Sequence, residues 1–250
     1  MIKLDEQTDI NTLPDDMRQH LFSMDSKGMK WLIFSFVFIV MNVAGGLLLV
    51  ADPFMNSYIV IAAPVMIIIN VWALLLMVRN PQKTQLEVVL FTAFLFASYA
   101  FGLLLISHKF AYFVAGVEGI SFFVGVLILY LGTIVYFIRY YHKTLSTLEG
   151  EVEAKEPEKW MWKIFTAGPA IGLFIYHGFL KGAFAELILV VLVVLFGVLS
   201  IYLSIKMFYK HAFMKLNLPL VVFVQSSKES IIEFEDEDEY EYEDEDEDEY

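Results

Sequence analysis

Six apolar stretches, each long enough to cross a bilayer, dominate this chain, and all but two of its 17 Lys and Arg residues fall on one side of them. The stretches run at about residues 30–51, 57–78, 86–107, 117–138, 161–180 and 184–205. A helix needs about 20 apolar residues to span the hydrocarbon core, and each of these qualifies. A soluble helical domain would show a polar face every 3.6 residues, whereas residues 187–204 carry no charge anywhere around the helix. A transmembrane β-barrel would alternate polar and apolar residues over about 10 positions, and no such alternation is present. The reading is an all-α integral membrane protein, a six-helix transmembrane bundle whose first partner is the lipid bilayer.

The cations orient it. Lys3, Arg18, Lys27 and Lys30 precede the first span; Arg79 and Lys83 follow the second; Arg139, Lys143, Lys155, Lys159 and Lys163 lie between the fourth and fifth; Lys206, Lys210, Lys215 and Lys228 follow the sixth. Only Lys109 and Lys181 fall on the opposite side. Cytoplasmic loops retain Lys and Arg, so both termini are expected in the cytoplasm. Abundant Phe, Ile and Lys suit a bacterial source, hence a bacterial cytoplasmic membrane. Residues 1–29 then form a cytoplasmic segment, 30–205 the membrane domain, 206–232 a juxtamembrane segment and 233–250 a tail.

The formal charge of −13 belongs to that tail. Residues 233–250 hold fourteen carboxylates, which leaves 16 acids against 17 bases in the rest of the chain. Such a run repels itself and has too little apolar surface to offset ordering, so disorder is expected when it is free, with a basic cytoplasmic protein as a candidate partner. Nucleic acid would meet like charge and is disfavoured. Cys is absent, which excludes disulfides and thiolate chemistry.

Upstream of the first span, Leu13, Met17, Leu21 and Met24 recur at helical spacing behind Thr12, Pro14 and Asp15. This predicts an N-terminal amphipathic helix lying on the inner leaflet. Residues 218–224 read as β-like, able to add a strand beside residues 231–234 or to a partner. Within the spans, small residues four apart permit close helix contact. Gly168 with Gly172 and Gly178 with Gly182 place the fifth span at the packing centre, and Ala93 with Ala97, Ser98 with Gly102, and Ser121 with Gly125 extend the pattern. Pro64 and Pro169 each remove a backbone donor within a span.

Polar residues inside hydrocarbon are costly and mark places to look for function. Asn42 and Asn70 sit near the middles of the first two spans, where they would hydrogen-bond across the bundle. Toward the opposite side from the cations lie His108, Glu118, His177, Lys181 and Glu186, with Asp52 and Lys109. Two His and two Glu offer metal ligands or a proton relay, but their spacing matches no metal motif, and solvated interfacial residues are the simpler account. No P-loop, H-E-x-x-H or G-x-S-x-G motif occurs, so no enzymatic activity, cofactor or metal is expected.

In span count and length the chain resembles permease subunits of bacterial exporters that work with a separate ATPase, including those giving self-protection against bacteriocins. That resemblance implies a transport subunit contacting its ATPase through the N-terminal amphipathic helix and the loop at residues 139–159. The residues themselves favour a non-catalytic membrane component, an accessory, scaffold or immunity-type subunit whose partner is a membrane or secreted protein. An intramembrane enzyme would need acids or His clustered at one depth.

Overall fold

The computed structural model describes residues 1–23, 26–117, 120–146 and 183–223, apart from the side chains at 16, 26, 27 and 183–186. The described chain is almost wholly helical. A short helix, α1 (Asp15–Leu21), precedes α2, which runs continuously through Ser26–Ile33, Phe34–Gly45 and Gly46–Val50. Four further helices follow: α3 (Asn56–Val78), α4 (Pro81–Phe113), α5 (Ser121–Thr144) and α6 (Ala183–Leu216). Five of these, α2 to α6, are long and apolar enough to cross a membrane. They correspond to the expected spans except that at 161–180, which lies outside the described residues, as do its glycines, Gly182 beyond it and the acidic tail.

Helices α4 and α6 form the centre of the described bundle, packing along one another more extensively than any other pair. With 33 and 34 residues they are about 50 Å long at 1.5 Å per residue, well beyond a hydrocarbon core of about 30 Å. They cross closely: Ser204 Oγ donates to the Ala93 carbonyl at 2.9 Å. Ala93 is fully buried at this contact, as its small size allows. Other small residues behave differently. A Cβ at Gly102 or Gly125 would meet nothing within 4 Å, so neither marks a close approach. The tightest glycine among those described is Gly197 of α6, where a Cβ would overlap the Tyr130 hydroxyl of α5. Phe137, Tyr141, Tyr202 and Tyr209 continue the α5–α6 seam, with the Phe137 and Tyr202 ring centroids 4.8 Å apart.

The α3–α4 connection is only Arg79 and Asn80. Asn80 caps α4 by accepting from the Gln82 N–H at 3.0 Å, and Pro81, which has no N–H to satisfy, opens the helix. Glu87 of α4 then accepts from Trp72 Nε1 at 3.0 Å and pairs with Arg79 at 3.1 Å, closing the hairpin. At its far end α4 stops after Phe113, where the Ala115 and Val117 amides bond back to Phe110 and Ala111 and Gly116 adopts a φ of 66°. That left-handed turn is natural for glycine. Phe110 therefore belongs to α4, and the next span starts at Ser121.

The middle of α2, Phe34–Gly45, is π-helical over 12 residues, where this geometry is ordinarily confined to single turns. Its buried face explains the choice. Met29, Ile33, Val37 and Met41 are buried at a strict four-residue spacing, which would drift around a 3.6-residue helix by about 40° per step. A wider turn over part of the helix offsets that drift and keeps the stripe on α3 and α4. The Tyr99 hydroxyl of α4 donates to the Phe36 carbonyl within this stretch.

The N-terminal segment departs from expectation. Its apolar face does not face a leaflet; Leu13, Met17 and Leu21 pack with Leu4 against Phe213, Met214, Leu220 and Val221. Met24 lies outside the described residues. The helix begins after Pro14, and Thr12 donates to the Asp9 carbonyl at 2.7 Å instead of capping α1. Asn217, 2% exposed, fastens the segment: its Oδ1 accepts from the Leu4 N–H at 2.7 Å, and its Nδ2 donates to the Ile2 and Phe213 carbonyls. The Ile2 N–H donates to the Leu145 carbonyl at 3.0 Å, tying in the end of α5. Residues 218–220 form a 3₁₀ turn. Of the expected strand, one parallel bridge between Phe22 and Val222 forms, and residues 231–234 lie outside the described residues. The result is a folded cap over the basic end of the bundle.

Candidate functional site

Of the polar group expected at the end away from the cations, His108 is described with its surroundings. Glu118, His177 and Lys181 lie outside the described residues, as does the side chain of Glu186. His108 is part of an aromatic joint between three helices. Its Nδ1 is 2.6 Å from the Tyr58 hydroxyl of α3, its ring stacks on Tyr112, and Phe123 of α5 meets it edge-on at 5.2 Å. Among the described residues no three His, Asp or Glu side chains come together as a metal site would need.

Lys109, next in the chain, points elsewhere and is completely buried. Its ammonium donates to the carbonyls of Leu48, Leu49 and Ala51 at 3.1, 2.9 and 2.6 Å. These lie in and just beyond the last turn of α2, where carbonyls have no partner within their own helix and carry the negative end of the helix dipole. Lys109 thus closes α2 from a neighbouring helix. Sequence reasoning placed this lysine in the solvated interface; nothing in the local pattern reveals that the end of another helix would lie within its reach.

At mid-depth Asn42 and Asn70 form a reciprocal amide pair, with bonds of 2.7 and 3.0 Å, and Asn70 also donates to the Met66 carbonyl at 2.8 Å. This is the cross-span contact the sequence suggested. Asn42 lies in the π-helical stretch, so the pair fixes the rotation of α2 against α3.

A groove of about 580 Å³ is bounded by α2, α3, α4 and α6. It extends along α4 from Gln85 to Ile106, about 32 Å at 1.5 Å per residue. Its walls are mostly apolar, and four of the hydroxyls along it are engaged: Thr92, Ser98 and Ser200 each donate to the carbonyl four residues back at 2.8 Å, and Tyr99 to Phe36. Lys210 stands at its basic end. No sequence signal marked this groove, because it is lined from four helices and not built where any residue type accumulates.

The described residues have the architecture of a helical, multi-pass membrane protein. No protein-family model, curated protein or solved structure matches the chain.

Proposed function

We propose that this chain is a non-catalytic component of a bacterial cytoplasmic membrane assembly, an accessory, scaffold or immunity-type subunit that acts by contacting a membrane or secreted protein. The observation that carries this reading is how the described intramembrane polar side chains are used. Lys109 closes a helix end, Asn42 and Asn70 bind each other, and His108 joins an aromatic contact. Each is engaged in holding helices together. A transport subunit would need a polar path between spans, and the groove between the described helices is mostly apolar. The permease reading also assigns the N-terminal amphipathic face to an ATPase, whereas here that face packs on the chain's own helices.

In this reading the cap and the acidic tail lie in the cytoplasm and residues 52–56 face outward, following the bias of Lys and Arg. The tail, with fourteen carboxylates over residues 233–250, offers a docking element for a basic cytoplasmic protein. The test is purification from native membranes of the full chain and of a form lacking residues 235–250. A stoichiometric partner without nucleotide-hydrolysing activity is expected. If the tail docks it, retention falls as salt rises, since exposed charges are screened within about 10 Å at 0.1 M, and the shortened form retains less at low salt. A stoichiometric ATPase in place of such a partner overturns the proposal in favour of the permease.

A further inference from the structure

Between the described helices the groove is too large to be a packing defect. Protein interiors contain few voids larger than a water molecule, and apolar cavities of even about 150 Å³ stay dry. At about 580 Å³ it lies within the range of about 300–1,000 Å³ typical of small-molecule sites. With Thr92, Ser98, Tyr99 and Ser200 already bonded to backbone carbonyls, it offers water few partners and hydrocarbon a continuous wall.

Its dimensions and the one charged residue of its described wall select the occupant. Along α6 the lining runs from Phe196 to Lys210, about 21 Å at 1.5 Å per residue. That equals the depth of one leaflet with its headgroup layer, half of about 40–45 Å, and the longer wall along α4 carries the groove on into the other leaflet. Lys210 therefore stands at headgroup level when Phe196 is near the midplane. Among the described residues no carboxylate pairs with Lys210. Gly102 also opens onto the groove, with nothing within 4 Å of where its Cβ would be.

We propose that this groove is a binding site for one anionic phospholipid, an acyl chain lying between α4 and α6 and its phosphate paired with Lys210. The site acts as a structural lipid seat between α2 and the central helix pair, and the proposal does not depend on which partner the protein has.

The full chain, reconstituted in nanodiscs of equal palmitoyl-oleoyl phosphatidylglycerol and phosphatidylcholine and then released into detergent, is examined by native mass spectrometry. One retained lipid per chain is expected, with phosphatidylglycerol preferred by about fivefold, the contribution of one cation at an anionic surface. Lys210→Gln should retain a lipid but lose the preference. Ser98→Phe/Gly102→Phe, which fills two turns of the groove, should lose the retained lipid while Gly125→Phe, on a glycine outside the groove, keeps it. Retention of no lipid by the parent overturns the proposal, as does a preference unaltered by Lys210→Gln. A disulfide forming in the bilayer between cysteines at positions 102 and 172 also overturns it, because the chain itself would then fill the groove.

Discussion

Gly197 and Tyr130 show how much one side chain decides. The Tyr130 hydroxyl is buried without a hydrogen-bond partner among the described residues and lies where a Cβ on Gly197 would be. Gly197→Ala should therefore lower stability in detergent by about 1–3 kcal/mol, as overpacking does, while Gly125→Ala, which meets open space, leaves the melting temperature unchanged or slightly raised. Equal effects of the two would refute the close approach. Tyr130→Phe removes only an unbonded hydroxyl and should be near neutral. Lys109→Met removes the donor from three carbonyls at the end of α2, at a cost on the order of 1–3 kcal/mol, and should make residues 48–51 exchange amide hydrogens faster; unchanged exchange there would remove the capping role. Neither role was legible beforehand. A lone glycine in an apolar helix looks like any other, and Lys109 looks like a solvated loop cation.

At the level of elements, the amide pair makes a clean test of what holds α2 to α3. Asn42→Leu or Asn70→Leu alone strands the other amide in hydrocarbon and should cost about 1–3 kcal/mol, whereas the double variant should cost less than the sum of the two. The coupling expected from a double-mutant cycle is about 0.6–1.7 kcal/mol in magnitude, the range of hydrogen bonds between membrane helices. Additive losses would mean the amides act separately. Five spans were legible because about 20 uncharged residues leave the backbone no alternative to a helix in lipid. Their ends were not: α4 begins at Pro81 and α5 at Ser121, several residues from the apolar boundaries, because capping and turn chemistry set those positions. The fate of the N-terminal amphipathic face was equally hidden. Helical spacing of Leu13, Met17 and Leu21 states that a face will be buried, and is silent on whether lipid or protein buries it.

For the whole molecule, the asymmetry of cations yields the topology prediction. The chain has no Cys, so single cysteines report without background. A cysteine replacing Phe54, which is 59% exposed between α2 and α3, should react with an impermeant thiol reagent in intact cells. One at Ser146 should react only after the membrane is opened. The reverse pattern would invert the protein in the membrane. The cap over the basic end carries a consequence for how the molecule is made. Leu4 and Asn217 are 213 positions apart, so the segment around Leu4 leaves the ribosome long before its anchor and cannot find its place until α6 has been synthesised. At about 5–20 residues per second this interval is roughly 10–40 s. During that time the apolar side of the early segment is without its final partner, and a chaperone or the membrane surface must shelter it.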